Sequence, residues 1–286
     1  MAEPGTWISV GALAEAFRPG SYAPEPSPAL EGRELRVSLE DGRVVWYRFF
    51  SGGRLNWKVI AGPQAGQEGV EAVKVFAARE GLYLIDYVKA DEVTTSVSLV
   101  ADLASGAGTM VIGRLPGGEL VGSLAERIAM GAELTPVSAQ FLSASLDKPL
   151  TVDTLRHLPT KDLVGKRVLY TYSPTERYEH IYLNERLYTW HCLEGVEKGL
   201  ADTDRCHYYK LQDQLYLFVW REKIVPTLGL VVLDLERMRT VGKIFGYQSL
   251  TAGQRSPDGR EGASPVNFAV GARARLLNVT SYAEDV

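Results

Sequence analysis

Tyr170 and Tyr172 stand two residues apart in the apolar run VLYTY. On a β-strand, residues at that spacing share a face. Turned inward, the two phenols offer hydroxyls that can hold a carboxylate or a phenolate. Turned outward, they are ordinary strand formers. Glu222 follows Phe218 and Trp220 on one face of LYLFVWRE. A carboxyl beside apolar rings has its charged form disfavoured and can donate a proton near neutral pH. The alternative, suggested by the run Arg221-Glu222-Lys223, is a solvated glutamate at a strand end. His180, His191 and His207 lie in the same half of the chain. Three imidazoles on adjacent strands can converge on a metal, but no short ligand spacing supports this, and no metal or cofactor is expected. The string Ala201-Asp202-Thr203-Asp204 lacks the spacing and terminal Glu of a calcium loop.

These groups sit in the second copy of an internal repeat. At an offset of 133 residues, Trp57 falls on Trp190, Gly62 on Gly195, Gly66 on Gly199, Leu82-Tyr83-Leu84 on Leu215-Tyr216-Leu217 and Gly113 on Gly246. The matches cluster at turn glycines and aromatic anchors, as expected of two tandem copies of one domain. Copy two gains titratable groups: Tyr47 becomes His180, Lys58 becomes His191, Lys74 becomes His207 and Lys89 becomes Glu222. If one copy holds a working site, it is the second. Cys192 and Cys206 match Val59 and Val73, which points to buried packing thiols.

Each copy reads as short strands rich in Val, Tyr, Phe and Leu, punctuated by Asp, Gly, Glu and Lys at intervals of about ten residues. In copy one they are Leu35–Leu39, Val44–Phe50, Ala72–Ala77, Leu82–Val88 and Thr95–Asp102. In copy two they are Arg167–Tyr172, Tyr178–Leu183, Leu187–Leu193, His207–Leu211, Leu215–Trp220, Leu228–Leu235, Thr240–Tyr247 and Ala272–Val279. The pattern predicts a mainly β chain of two tandem antiparallel barrels with a few short helices, at Val10–Phe17 and Val121–Ala129. An eight-stranded barrel has an interior that side chains fill or that holds one small ligand. Residues 117–160 hold no evident strand series, so the domains are expected at 1–150 and 151–286, and the polar run Gly253–Pro265 is expected to be a loop.

The chain has 286 residues, 45% hydrophobic and 23% charged, with 31 Lys+Arg against 35 Asp+Glu. That composition excludes a largely disordered chain. The formal net charge of -4 gives no footprint for nucleic acid or an anionic membrane. No apolar run approaches the ~20 residues that span a bilayer. The first residues lack the basic segment and long apolar core of a secretory signal, so a cytoplasmic location is expected.

The stretch from Tyr178 to Gly199, with LADTDRCHYYK, YLFVWREKIVPTLG and VGKIFGY after it, resembles the family called molybdenum cofactor biosynthesis protein F, MoaF. The likeness runs over nearly the whole chain and implies two lipocalin-like (calycin) barrels. Copy two is also similar to the cofactor-free phenolic acid decarboxylases. Their Tyr-x-Tyr pair matches Tyr170 and Tyr172, their Tyr-Glu strand start matches Tyr178-Glu179, and their Trp-x-Glu matches Trp220-Arg221-Glu222. That resemblance implies tyrosines that orient an acid and a glutamate that handles the proton. A catalytic arginine of that family falls on His191. Imidazole cannot clamp a carboxylate bidentately, but its pKa of about 6.5 suits proton shuttling.

Together these readings give Glu222, His191, Tyr170 and Tyr172 as the expected catalytic set. Trp220, His180, Tyr178, Tyr182 and Phe218 are the expected ligand-binding residues. The expected activity is cofactor-independent lyase, isomerase or cyclase chemistry on an aromatic or unsaturated acid, or a phenolic or polyketide-like molecule. The alternatives are a lipocalin-like binding protein and a non-catalytic accessory to molybdenum-cofactor enzymes. A small-molecule ligand is the expected partner, and the sequence leaves homo-oligomers open.

Overall fold

A computed structural model of the chain describes residues 6–117, 123–249 and 264–282. The fold is mainly β, with two closed eight-stranded antiparallel barrels. The first comprises β1 (Glu34–Leu39), β2 (Val44–Phe50), β3 (Arg54–Ala61), β4 (Glu68–Arg79), β5 (Leu82–Val88), β6 (Thr95–Asp102), β7 (Ala107–Arg114) and β8 (Ser138–Leu146), with β8 pairing back onto β1. The second comprises β9 (Lys166–Thr171), β10 (Arg177–Tyr182), β11 (Leu187–Glu194), β12 (Ala201–Gln212), β13 (Leu215–Glu222), β14 (Thr227–Asp234), β15 (Arg239–Tyr247) and β16 (Pro265–Val279), closed by β16 on β9. Among the described residues the α-helices are α1 (Val10–Phe17) and α2 (Leu124–Ala129). None is long and apolar enough to cross a membrane.

Strand alternation decides what each barrel encloses. In β11, Tyr188, Trp190 and Cys192 are buried while Thr189 and His191 are only partly covered. The period of two thus sends every second side chain to the lumen. The first lumen is mostly aliphatic, with Tyr47, Trp57 and Tyr87 among Leu and Val. The second is mostly aromatic, with Tyr170, Tyr182, Tyr188, Tyr208, Trp190, Phe218 and Trp220. Closure leaves neither sheet with a long free edge.

By internal contacts the chain forms two compact units: Glu25–Arg114 with Ala139–Leu158, and Met1–Pro24 with Leu115–Ser138 and Pro159–Val286. Helix α1 therefore belongs with the second barrel, packing on β15 and β16. The Ser9 side chain caps it, accepting the Ala12 amide at 3.1 Å, and its hydroxyl donates to the Gln248 carbonyl at 2.9 Å. Gly246 lets the helix approach, since a Cβ there would lie 2.3 Å from Val10.

Three strands of the first barrel, β3, β7 and β8, go beyond those read from the sequence. Residues 117–160 do contain a strand, β8, and it closes the barrel. Its sequence, SAQFLSASL, is dominated by small residues, so its alternation is faint. Helix α2 starts at Leu124 behind a capping box of Ser123 and Glu126, and residues 121–122 of the expected helix lie outside the described residues. So does most of the loop expected at Gly253–Pro265, since residues 250–263 are not among those described.

Candidate functional site

The second lumen is closed at one end by rings that satisfy one another. Tyr170 and Tyr182 share a hydrogen bond of 2.6 Å between their hydroxyls, and both are fully buried. Phe218 stacks between Trp220 (5.0 Å, 21°) and Tyr208 (5.6 Å, 22°). Burial pushes the phenols of Tyr170 and Tyr182 far up, so both stay neutral. Their hydroxyls are committed to each other.

Toward α1 the lumen opens into a cavity of about 40 Å³, lined by Tyr172, Tyr178, His180, Trp190, Trp220 and Glu222, with Tyr188, Glu197 and α1 residues including Val10, Leu13 and Phe17. One water centre needs roughly 10–15 Å³, so this space takes about three waters or one small polar group. Trp220 fixes Glu222, its indole Nε1 donating to Oε1 at 3.0 Å. The Trp220 ring in turn lies on Gly229, where a Cβ would come within 2.0 Å of it. Part of the Glu222 surface remains open, but protein packs around the carboxyl. Burial pushes its pKa well up, and Asp204 and Glu197 push the same way, so the carboxyl holds its proton to higher pH than a free glutamate.

Three further carboxyls stand near Glu222. Glu197 is buried, accepts a hydrogen bond from the Tyr178 hydroxyl at 3.1 Å, and is raised by burial to about 7. Glu176 is also buried and raised to about 7, by burial first and the Glu197 charge among the lesser causes. Asp204 is buried on β12 and lifted to about 6 by burial; it accepts Trp190 Nε1 at 3.1 Å and the Lys223 amide at 3.0 Å. Burial drives His180 down to about 3, so its imidazole is neutral. Its Nδ1 is buried without a hydrogen-bond partner, and its ring lies 4.6 Å from Tyr170. Among the described residues no Lys or Arg lines the cavity.

The sequence-predicted residues divide accordingly. Tyr172, Tyr178, His180, Trp220 and Glu222 line the one cavity. Tyr170, Tyr182 and Phe218 lie in the same aromatic core but not on the cavity wall. His191 is not in the lumen, contrary to the expected constellation. The alternation that turns Trp190 and Cys192 inward turns His191 out, where Nδ1 meets Glu179 Oε1 at 3.0 Å and Arg167 binds the same carboxylate. The imidazole inside is His180. His207 likewise leaves the lumen to Cys206 and Tyr208 and borders an outer groove. The two cysteines are free and buried, as packing thiols. Among the described residues no group of His, Cys, Asp and Glu is placed to hold a metal.

Sequence reasoning missed Glu197, Tyr188 and the contribution of α1. Glu197 was within reach of the repeat comparison: its counterpart is Gln64, one more neutral-to-acid exchange at the same offset. The role of α1 gave no such signal, because the helix precedes the duplicated segment.

The MoaF N-terminal domain family matches residues 5–117 and the MoaF C-terminal domain family matches residues 157–280. Protein MoaF of Klebsiella aerogenes is 39% identical over 298 residues, covering 99% of this chain and all of that protein. A solved structure from Burkholderia vietnamiensis, described as a candidate beta-lactamase, aligns with 43% of this chain and 97% of its own, at 18% identity and a TM-score of 0.31. With both domain families matched in order and a full-length relative at that identity, the chain belongs to the MoaF family.

Proposed function

We propose that the second barrel is a small-molecule site, working without a cofactor, in which Glu222 handles a proton. The observation that carries this reading is a carboxyl on the wall of an aromatic cavity, fixed by Trp220 and raised in pKa by burial. A perturbed acid in a cleft is the usual mark of a functional group. Such an acid can hydrogen-bond to a ligand and pass it the proton, while the neutral imidazole of His180 offers an acceptor on the same cavity. Tyr172 and Tyr178 can polarise the bound molecule. This supports a proton shift on an aromatic or unsaturated compound, of lyase, isomerase or cyclase type. A carboxylate anion is a poor fit, because the described residues of the wall include carboxyls and no Lys or Arg to balance it.

A second reading, binding without chemistry, is favoured by the tightness of the cavity beneath α1. The two are separated by incubating the protein with unsaturated phenols in D2O and following deuterium at carbon by NMR. The first reading expects incorporation that Glu222→Gln reduces by about 10²-fold or more. Ligand bound but recovered without deuterium establishes the second.

A further inference from the structure

We propose that the cavity of the second barrel receives the charged head of an organic amine, an ammonium ion held among the rings of Trp190, Trp220 and Tyr178 and balanced by Glu197 and Glu222. This rests on the reading of the cavity as a small-molecule site and names the class of molecule. The wall combines electron-rich ring faces, two carboxyls and a neutral imidazole, with no Lys or Arg among the described residues that line it. Indole and phenol faces attract cations, most strongly when water is excluded. An anion placed there would meet the carboxyls with no counter-charge. The free volume of about 40 Å³ matches an ammonium group better than a whole aromatic acid.

The first barrel supplies an internal comparison. Its Trp57 is the counterpart of Trp190, and the two indoles are anchored alike: Trp57 Nε1 donates to Glu71 at 3.0 Å and Trp190 Nε1 to Asp204, the counterpart of Glu71, at 3.1 Å. Over the Trp57 ring stands a resident cation, Lys89 Nζ, 5.6 Å from its centroid. At the position of Lys89 the second copy has Glu222. The first copy thus sets its own ammonium at its indole site, beside a cavity of about 100 Å³, while the second has an acid at that position. A further exchange points the same way. Tyr47 and Tyr87, on the wall of the first barrel's cavity, share a hydrogen bond of 3.2 Å between their hydroxyls. Their counterparts are His180 and Trp220, and His180 Nδ1 is buried with no partner.

Binding a cation must draw a proton from the wall. Burial raises Glu197 to about 7 and pushes Glu222 well up, so both resist losing their protons. The charged or titratable groups that act on them are Tyr172, Glu176, Tyr178 from β10, Tyr188 and Cys192 from β11, Asp202 and Asp204 from β12, and, through those aspartates, Lys223, with the His180 imidazole on the same cavity. An ammonium ion brought among them favours the ionised carboxyl, so binding and deprotonation are linked. Affinity for an amine therefore rises with pH between about 5 and 7, by up to about tenfold per unit, while the amine itself stays protonated.

The test is calorimetric titration of the full chain with methylammonium, benzylammonium, benzyl alcohol and benzoate at pH 5, 6 and 7, in buffers of different ionisation heat. The expected result is that both ammonium ions bind, releasing up to one proton. Benzyl alcohol should bind at least about tenfold more weakly than benzylammonium, and benzoate should not bind. Glu197→Gln should weaken benzylammonium by about tenfold and flatten its pH dependence. Glu222→Lys should recreate the first copy's resident cation and abolish ammonium binding. If that variant does not fold, the Glu197→Gln result and the proton count still decide. Benzyl alcohol or benzoate binding as tightly as benzylammonium would overturn the cation assignment while leaving a small-molecule site in place. Failure of all four to bind, with no change in tryptophan fluorescence, would remove both.

Discussion

Tyr170 and Glu222 show how two residues of similar sequence appeal come to differ in work. Both sit on inward faces of the second barrel, but the Tyr170 hydroxyl is spent on Tyr182 while Glu222 lines the cavity. Deleting one member of a buried hydroxyl pair strands the other, which costs about 1–3 kcal/mol, whereas deleting both is nearly neutral. Tyr170→Phe is therefore expected to lower stability by about 1–3 kcal/mol, and adding Tyr182→Phe should restore most of it. Urea unfolding of the two single variants and the double variant closes the cycle. Additive losses would show that the phenols act separately. His180 stands in contrast: its Nδ1 lacks a partner although the ring is buried.

At the scale of elements, the cavity needs a cover as well as a barrel, and α1 provides it. The helix is only eight residues long, below the length at which an isolated helix holds together in water. Its structure depends on docking: the Ser9 cap, Phe17 at 4.9 Å from the Tyr172 ring, and Val10 seated against Gly246. Gly246→Ala places a methyl 2.3 Å from Val10 and 3.0 Å from the Pro226 carbonyl. Overpacking of this kind costs about 1–3 kcal/mol, and the local cost falls on the helix rather than on the β15 ladder. Hydrogen exchange should therefore speed up by about tenfold or more in α1, with little change in β13 and β14. Equal acceleration in those strands would mean that the helix and barrel open as one. The sequence made α1 itself plain through its apolar spacing. What it covers was hidden, because contacts between segments more than two hundred residues apart leave no trace in local pattern.

Across the whole molecule, the duplication was legible because turn glycines and aromatic anchors recur at one offset. The barrels followed from that and from strand spacing. The faint strand β8 was lost because its alternation is carried by Ala and Ser, whose burial differs little in hydrophobic gain. The inner and outer faces of β11 were not legible, because Trp190, His191 and Cys192 can each be buried or exposed on composition alone. Once the faces are assigned, the pattern of buried titratable groups sets how stability depends on pH. His180, lowered to about 3, and His157 and His207, each lowered to about 4, are all depressed chiefly by burial. Their contribution is present above the unfolded value of about 6.5 and is lost as pH falls below it. Glu176 and Glu197, raised to about 7, act in the opposite sense. The folded chain keeps their protons after the unfolded chain has released its own near 4.5, so stability declines as pH rises from there to about 7. The two limbs oppose each other between about pH 4.5 and 6.5, and above that the carboxyl loss alone remains, complete once the pH passes about 7. A shift from 4.5 to about 7 corresponds to roughly 3 kcal/mol for Glu197 at about 1.4 kcal/mol per unit. Glu197→Gln removes that ionisation and keeps a hydrogen-bonding side chain. Relative to the parent, it should gain about 2–3 kcal/mol at pH 8 and little at pH 5, read by urea unfolding at each pH. Parallel losses in parent and variant between those values would mean that Glu197 ionises in the folded barrel as freely as in the unfolded chain.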